Sequence, residues 1–244
     1  MQTPPKPGIL RRAGPAIRAQ LLALLLAAAA GGAMVGAAGA QESDGIAADR
    51  LLTDRDFFRL ATCGAPPGGE CTGPVLRWPK RVVTLAILPG ETDLPDGFAD
   101  SLGETVDEAI AQINRTGAGI RIRRVEGQKA DICVIPTAMK DGDRLEDVAG
   151  LSAAGIMGVG YMTYWWNGRN EITEATILIS TAIIPGDMRS VVLEETFQTL
   201  GPRFDIEGKA YEGLSILSQT SNQTMAIRGQ DARLLRWLYP PARP

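Results

Sequence analysis

One predicted helix concentrates the side chains whose types and spacing could carry out chemistry. The segment 188–200 contains Glu194, Glu195 and Gln198, and Asp205 follows it closely. Residues four apart on a helix point in the same direction, so Glu194 and Gln198 could share a ligand. Carboxylate and amide oxygens are the donors that hard cations such as Ca²⁺ or Mg²⁺ accept. Without a metal, the paired glutamates could act as an acid or a base, because proximity raises the pKa of one of them.

The absence of histidine excludes several other mechanisms. The chain has 244 residues, with 25 Lys plus Arg, 28 Asp plus Glu and no His. A Ser-His-Asp triad, a Cys-His dyad and any zinc site that contains imidazole are therefore excluded as self-contained mechanisms. The formal net charge of −3 argues against a nucleic-acid partner.

The same helix also has a purely structural interpretation. Leu193, Phe197 and Leu200 form an apolar stripe that would face the core. Glu194 and Gln198 could then be the solvated face of the helix, with no part in any chemistry. The residues of this helix alone do not decide between the structural interpretation and the metal-binding or acid–base interpretations.

The spacing around this helix resembles the metal-binding segment of the metzincin metalloproteases. In that family, His-Glu-x-x-His-x-x-Gly-x-x-His/Asp places two histidines on one helix face and a third ligand after a glycine turn. The glutamate beside the first ligand reaches the metal-bound water. In this chain Glu194 stands at the position of the first ligand and Glu195 at that of the general base. Gln198 stands at the position of the second ligand, Gly201 at that of the turn glycine and Phe204 at that of the third ligand. Only the general base and the glycine match the family pattern.

The resemblance continues in the family's order from about residue 80 to residue 241. The segment 213–218 is similar to the metzincin Met-turn, with Leu217 in place of methionine, and 230–240 is similar to the closing helix of matrixin-like enzymes. Upstream, the segment 130–132 resembles the Ala-Asp-Ile strand of that fold. The chain also resembles the secreted bacterial domain-of-unknown-function family 2927, in which Glu-Glu-x-x-Gln-x-x-Gly stands in place of the zincin motif.

This resemblance implies an exported bacterial envelope protein with a degenerate, non-catalytic metzincin-like domain and no cofactor. Its residual cleft would bind a peptide or an envelope protein. Zn²⁺ prefers imidazole and thiolate, so a hydrolytic zinc site is not expected. The alternative is a divergent metallohydrolase or peptidase that uses a hard cation such as Ca²⁺ or Mg²⁺. Glu195 would then be the general base, and Glu194, Gln198 and Asp205 the ligand region.

Hydrophobic periodicity predicts the elements that must position this helix. Aliphatic and β-branched runs predict strands at 81–88, 120–125, 130–135, 159–166 and 174–180. Apolar spacing and end signals predict helices at 99–114, 188–200 and 229–238, and a further helix capped by Thr53. This order predicts the α+β class. The resemblance implies a single zincin-like domain with a mixed sheet, a packed helix, an active-site-type helix and a carboxyl-terminal helix.

The predicted organisation has three parts. Residues 1–40 are a signal peptide, 41–79 are a linker, a helix and a cysteine loop, and 80–244 are the metzincin-like domain. The signal peptide is indicated by a basic start, the apolar run 21–40 and an Ala-x-Ala pattern that predicts cleavage before Gln41. Its alternative is a retained membrane anchor, since the run could cross a bilayer. The protein is thus expected to be periplasmic or secreted, with membrane contact only through an uncleaved targeting segment.

The cysteines fit this compartment. Cys63 and Cys71 bracket a Pro/Gly-rich loop and are expected to form a disulfide in an oxidising environment. Cys133 lies in the apolar run 130–135 and is expected to be a buried strand residue.

Overall fold

Aliphatic runs in the sequence form strands and amphipathic segments form helices. The computed structural model describes residues 45–90, 93–127, 129–146, 148, 151–152, 154–221 and 223–241. The predicted signal peptide and the first residues of the predicted linker, 41–44, lie outside the described residues. The elements in chain order are β1 (Ile46–Ala47), α1 (Asp54–Cys63), β2 (Val82–Ile87), α2 (Phe98–Arg115), β3 (Arg121–Arg124), β4 (Ile132–Thr137), β5 (Arg144–Leu145), β6 (Gly155–Ile156), β7 (Gly160–Trp166), β8 (Ile172–Ser180), α3 (Met188–Gln198), β9 (Ile206–Glu207), a 3₁₀ turn (Lys209–Tyr211) and α4 (Gly229–Leu238).

The central sheet has five strands in the order β3-β2-β4-β8-β7. The first four strands of this order are parallel, and β7 runs antiparallel to β8 at the edge of the sheet. This mixed sheet with four helices confirms the predicted α+β class. The metzincin likeness of the domain stays a prediction.

Helices α2 and α3 pack against one face of the sheet. Apolar residues recur along α2 at helical spacing, and Leu102, Val106 and Ile113 are all buried. Helix α3 contacts α2, β7 and β8, so it is enclosed on most sides. The sheet and α3 contribute to this core Val83, Leu85, Ile132, Val134, Ile177, Ile179, Val192, Leu193 and Phe197.

The segment between β4 and β7 covers part of the opposite face. Leu145 and Met157 of this segment pack against Tyr161 and Leu178 of the sheet. Cys133 points to this second face, because strand side chains alternate and its neighbours in β4 face the helices. It is only half-buried. The prediction that Cys133 is buried is therefore wrong, because the covering segment shields the strands nearer β7.

The residues before β2 pack on the same core as the rest of the domain. The Thr53 hydroxyl caps α1 by accepting a hydrogen bond from the Asp56 backbone N–H at 3.2 Å. Phe57 of α1 lies with its ring centroid 5.6 Å from that of Tyr211. Further along, the Trp78 indole N–H donates to the Thr199 carbonyl at 2.9 Å, just after α3. These contacts connect the beginning of the domain to the end of α3.

Helix α3 ends two residues earlier than predicted. The backbone N–H of Leu200 donates to the Phe197 carbonyl, and that of Gly201 donates to the Gln198 carbonyl. These i→i+3 bonds tighten the last turn, as is common at helix ends. The sequence also did not predict β1, β5, β6 and β9, because strands of two residues carry no measurable periodicity.

Cys63 and Cys71 form a disulfide, as predicted. The loop that the disulfide closes begins at Gly64, which has a φ of 72° and ends α1 in the left-handed conformation that glycine adopts readily. None of the helices within the described ranges has the length and apolar character needed to span a membrane.

Removing the disulfide is expected to lower the free energy of unfolding by about 2 kcal/mol, because the bond restricts the unfolded chain across a sequence separation of 8. Urea unfolding with and without dithiothreitol measures this. The Cys63→Ser/Cys71→Ser double variant should be less stable and insensitive to dithiothreitol. The matched control Cys133→Ser should keep the full response to reduction. A dithiothreitol response that survives in the double variant would contradict the assigned pairing.

Candidate functional site

Helix α3 and the edge strand β7 form two walls of a cleft of about 400 Å³. The third wall comes from the segments that carry Asp205 and Ser218. Its lining residues are Ile156, Gly158, Val159, Gly160, Tyr161, Met162, Val191, Glu194, Glu195, Gln198, Asp205, Ser218 and Gln219. The four residues singled out from the sequence, Glu194, Glu195, Gln198 and Asp205, are thus brought together.

Gly160 allows β7 to lie close to α3. A Cβ at this position would come within 2.5 Å of Val191 Cγ1 and 2.6 Å of Glu195 Oε1. A side chain here would therefore displace both residues of the helix. The sequence places Gly160 at the end of a stretch of small residues, but nothing in that stretch indicates which helix it meets.

Both glutamates reach the cleft although they are adjacent on the helix. Successive helical residues diverge by about 100°, so the two carboxyl groups enter different parts of the same space. Each side chain is half-buried. The structure does not support the interpretation of this surface as a plain solvated face, because Gln198, one turn on, is only 4% exposed.

Burial changes the protonation of these carboxyl groups. It raises the pKa of Glu195 from 4.5 to about 8, and the nearby charge of Asp205 adds to the effect. The pKa of Glu194 is also raised well above its usual range, first by burial and then by the charges of Asp205, Glu195 and Asp231. Near neutral pH the raised pKa of Glu195 therefore favours its protonated carboxyl group.

Gln198 and Asp205 interact directly. The Gln198 amide Nε2 donates to Asp205 Oδ1 at 2.6 Å, across the glycine turn that follows α3. This bond orients the amide so that its nitrogen faces the carboxylate, and it fixes the end of the helix to the third wall.

Phe204, at the third-ligand position of the metzincin pattern, packs elsewhere. A Cβ on Gly64 would come within 2.7 Å of its ring atom Cζ, so the ring lies against the disulfide loop. The Arg203 guanidinium lies 4.8 Å from the ring centroid on its face. It is the following residue, Asp205, that lines the cleft.

Leu217, the residue in the Met-turn-like segment, is fully buried beside the third wall. Its carbonyl accepts a hydrogen bond from the Ile206 N–H at 2.7 Å, and its own N–H donates to Ser215 Oγ at 3.1 Å. The next residue, Ser218, lines the cleft together with Glu194. The turn and the helix are therefore close in space.

The donor chemistry of the cleft does not fit Zn²⁺, because its ionisable and amide side chains offer carboxyl, hydroxyl and amide groups and no imidazole or thiolate. A hard cation bound through Glu195 would have to displace the proton that the raised pKa of this residue favours. Within the part of the chain that the structure describes, no group of three or more His, Cys, Asp or Glu side chains is placed to hold a metal ion. The alternative of a bound Ca²⁺ or Mg²⁺ stays a prediction.

Comparison with known proteins gives no match from which the function of the cleft could be inferred. No protein-family model matches the chain, and no curated protein matches it. The resemblance to the metzincins and to family 2927 therefore rests on the residues quoted above and stays a prediction.

Sequence reasoning missed several residues of the cleft. Gly160, Ser218 and Gln219 line it but belong to segments whose composition is typical of strands and turns. Asp231, at the start of α4, is 1% exposed and supports the third wall from behind. Asp231 is the first residue of an Asp-x-x-x-x-x-x-Leu-Tyr pattern that resembles the closing helix of matrixin-like enzymes, but that pattern did not predict its burial against the third wall.

The pKa of Glu195 makes stability depend on pH. Glu195 binds an extra proton in the folded chain between pH 4.5 and about 8, so its contribution to the free energy of unfolding falls as pH rises through this window and levels off above it. Glu195→Gln should match the wild type at pH 4.5 and exceed its stability at pH 8.5 by roughly 1–3 kcal/mol. Urea unfolding across this range measures the difference.

The exposed Glu212 provides the matched control for this substitution. Glu212→Gln should follow the wild-type pH dependence throughout. Parallel curves for Glu195→Gln and the wild type would show that Glu195 ionises in the folded protein as it does in the unfolded chain.

Proposed function

We propose that this chain is an exported envelope protein that binds an extended segment of a peptide or partner protein in the cleft, without cleaving it. The observation that carries the proposal is the position of β7. This strand forms the edge of the sheet, and its residues Gly160, Tyr161 and Met162 line the cleft, so a segment bound in the cleft would lie beside this strand.

The hydrogen-bonding groups of β7 alternate between β8 and the cleft. The Val159 carbonyl accepts a bond from the Ser180 N–H at 3.0 Å, so it points toward β8. Because the direction alternates along a strand, the N–H and C=O groups of Gly160 and Met162 point to the outer edge. In the described ranges no strand pairs with that edge. An added strand would hydrogen-bond with these groups.

The chemistry of α3 suits a main chain in this position. The protonated carboxyl of Glu195 can donate a hydrogen bond, which an ionised carboxylate cannot. A carbonyl of a peptide lying along β7 offers the matching acceptor. Gly160 supports the proposal as well, since the lack of a side chain there keeps Glu195 at the cleft surface.

The disulfide supports the exported location. Disulfides persist in the periplasm and outside the cell, and are rare in the cytosol. The basic and apolar order of residues 1–40 supports export by the same reasoning from sequence. Removing this segment would leave 21 basic and 28 acidic residues, a composition suited to an acidic envelope protein.

One observation favours a hydrolase as the second candidate. A carboxyl group with a pKa of about 8 in a cleft is a candidate general acid or base. Glu195 would then act on a bound water, with or without a hard cation held near Glu194, Gln198 and Asp205. The absence of imidazole and thiolate donors among these residues is the reason that binding is preferred over hydrolysis.

Peptide binding is tested by selecting a displayed library of random eight-residue peptides on the protein. We expect extended binders whose affinity falls when alternate backbone amides are methylated, because methylation removes donors to the β7 edge. Gly160→Ala should weaken the selected peptides by about tenfold, since its Cβ displaces Glu195 and Val191 into the cleft.

Gly168→Ala is the matched control for this variant. It makes the same chemical change at the turn between β7 and β8, where an added Cβ meets no atom within 4 Å. Its affinity for the selected peptides should equal that of the wild type. Peptides that bind Gly160→Ala as tightly as the wild type would place their site outside the cleft.

The second candidate is separated from the first by elemental analysis and by hydrolysis of a fluorogenic casein. The protein purified without chelators should contain no stoichiometric metal, and its rate of hydrolysis should equal that of Glu195→Gln. A bound metal that the Glu194→Ala/Gln198→Ala double variant loses would instead make a divergent metallohydrolase the working model. A rate that falls at least tenfold in Glu195→Gln, without metal, would identify Glu195 as the catalytic acid or base.

A further inference from the structure

We propose that the protein also binds a phosphate-bearing anion in a groove between α2 and α4, independently of the peptide cleft. The groove has a volume of about 320 Å³. Its charged lining residues are Arg115, Arg228 and Arg236, and none of its lining residues is acidic. The chain as a whole has more acidic than basic residues, so this groove reverses the average charge of the protein.

The three arginines come from separate parts of the fold. Arg115 is the last residue of α2, and Arg228 immediately precedes α4. Arg228, Ala232 and Arg236 are spaced four residues apart, so they share one face at the start of and along α4. Ala232 lines the groove together with these two arginines, and Arg115 lines it from the end of α2.

Hydrogen bonds fix the walls of the groove. The Gln112 amide donates from Nε2 to the Met225 carbonyl at 2.9 Å, and its Oε1 accepts from the Ile227 N–H at 3.0 Å. Arg236 Nη1 donates to the Thr116 carbonyl at 2.8 Å, which joins α4 to the end of α2. The segment before α4 is thereby held against α2 in a defined position.

Two of the guanidinium groups are available to a ligand. Among the residues that the structure describes, Arg115 and Arg228 form no ion pair, and both side chains are exposed. Like charges at one groove repel one another, and an anion placed between them would relieve this repulsion. The third, Arg236, is half-buried and already oriented by its bond to Thr116.

A second groove adjoins the first at Arg228. It has a volume of about 390 Å³ and also lacks an acidic lining residue. The Thr224 side chain lines it, is 9% exposed, and has a hydroxyl oxygen without a hydrogen-bond partner within the described part of the chain. A buried hydroxyl normally has a partner. A ligand oxygen would supply one only after the surrounding side chains moved, because the Thr224 hydroxyl oxygen itself has almost no accessible surface.

The charge and geometry of the groove favour phosphate over carboxylate. A phosphate monoester carries about −1.5 to −2 charges at neutral pH, whereas a carboxylate carries one. Guanidinium groups present paired N–H donors that match phosphate oxygens. Three guanidinium groups without a carboxylate are therefore better neutralised by a phosphate group, from either a soluble phosphate ester or a lipid headgroup.

Calorimetric titration with inorganic phosphate and with pyrophosphate tests the site, using protein expressed as residues 1–244 and held at constant ionic strength with chloride. We expect saturable binding at one site. The Arg115→Gln/Arg228→Gln double variant should raise Kd by about tenfold or more. The control Arg121→Gln/Arg123→Gln removes two exposed arginines from β3 and should leave Kd within about twofold. The absence of saturable binding, or equal weakening by both double variants, would overturn the proposal.

A substitution inside the groove gives a second test that does not depend on losing arginines. Ala232→Glu places a carboxylate four residues from both Arg228 and Arg236, where it would form ion pairs with them and occupy the anion's position. We expect it to abolish phosphate binding without lowering the thermal midpoint of unfolding. Ala232→Gln has nearly the same size without the charge and should retain binding within about threefold. Equal loss of binding in both variants would show that steric blocking alone explains the result, and would overturn the charge-based site.

Vesicles distinguish the two sources of the phosphate group. If the source is a lipid, phosphatidylglycerol vesicles should sediment the protein, phosphatidylcholine vesicles should not, and inorganic phosphate should compete. If the source is soluble, phosphate should bind while neither vesicle sediments the protein. Sedimentation that persists in the Arg115→Gln/Arg228→Gln variant and resists phosphate would overturn the groove as the anion site.

Discussion

The carboxylate of Asp231 determines where the third wall of the cleft lies. It is 1% exposed and accepts hydrogen bonds from Ser215 Oγ at 2.6 Å and from the Ile216 N–H at 3.1 Å. Burial raises the pKa of Asp231 to about 7, and these two bonds oppose that rise by stabilising the charged form. A buried carboxylate is tolerated only with such partners, so the segment 213–218 has to lie against the first turn of α4.

Further hydrogen bonds connect this contact to the rest of the third wall. Ser215 Oγ also accepts a hydrogen bond from the Leu217 N–H, and the Leu217 carbonyl accepts one from the Ile206 N–H. Ile206 belongs to β9, which pairs with β1 near the start of the described chain. Asp205, immediately before β9, is thereby placed opposite α3, where Gln198 binds it. One buried acid near the carboxyl terminus therefore positions a cleft residue that lies 26 positions earlier in the sequence.

Long periodic segments made much of the fold predictable. The bounds of α4 agree with the prediction, and α2 differs from it by one residue at each end, because 10 to 18 residues of regular apolar spacing give a strong signal. The spacing of Glu194 and Gln198 likewise placed both on one helix. The opposite walls were not predictable, since Gly160 meets Glu195 and Asp231 meets Ser215 only through contacts between separate elements. Local patterns carry no information about such pairs.

The raised pKa values of the glutamates bear on which kind of ligand the cleft would accept. Glu194, Glu195 and Asp205 would repel one another if all were ionised in a partly desolvated cleft, and retaining protons on the glutamates removes most of that repulsion. Such a cleft is nearly neutral and can donate as well as accept hydrogen bonds. A peptide main chain requires that combination, because it presents carbonyl and amide groups in alternation. A free cation requires the opposite, since it binds only after the protons leave. Protonation of Glu195 would therefore favour the proposed peptide over a metal ion in this cleft near neutral pH, and the balance would move toward a cation as pH rises above about 8.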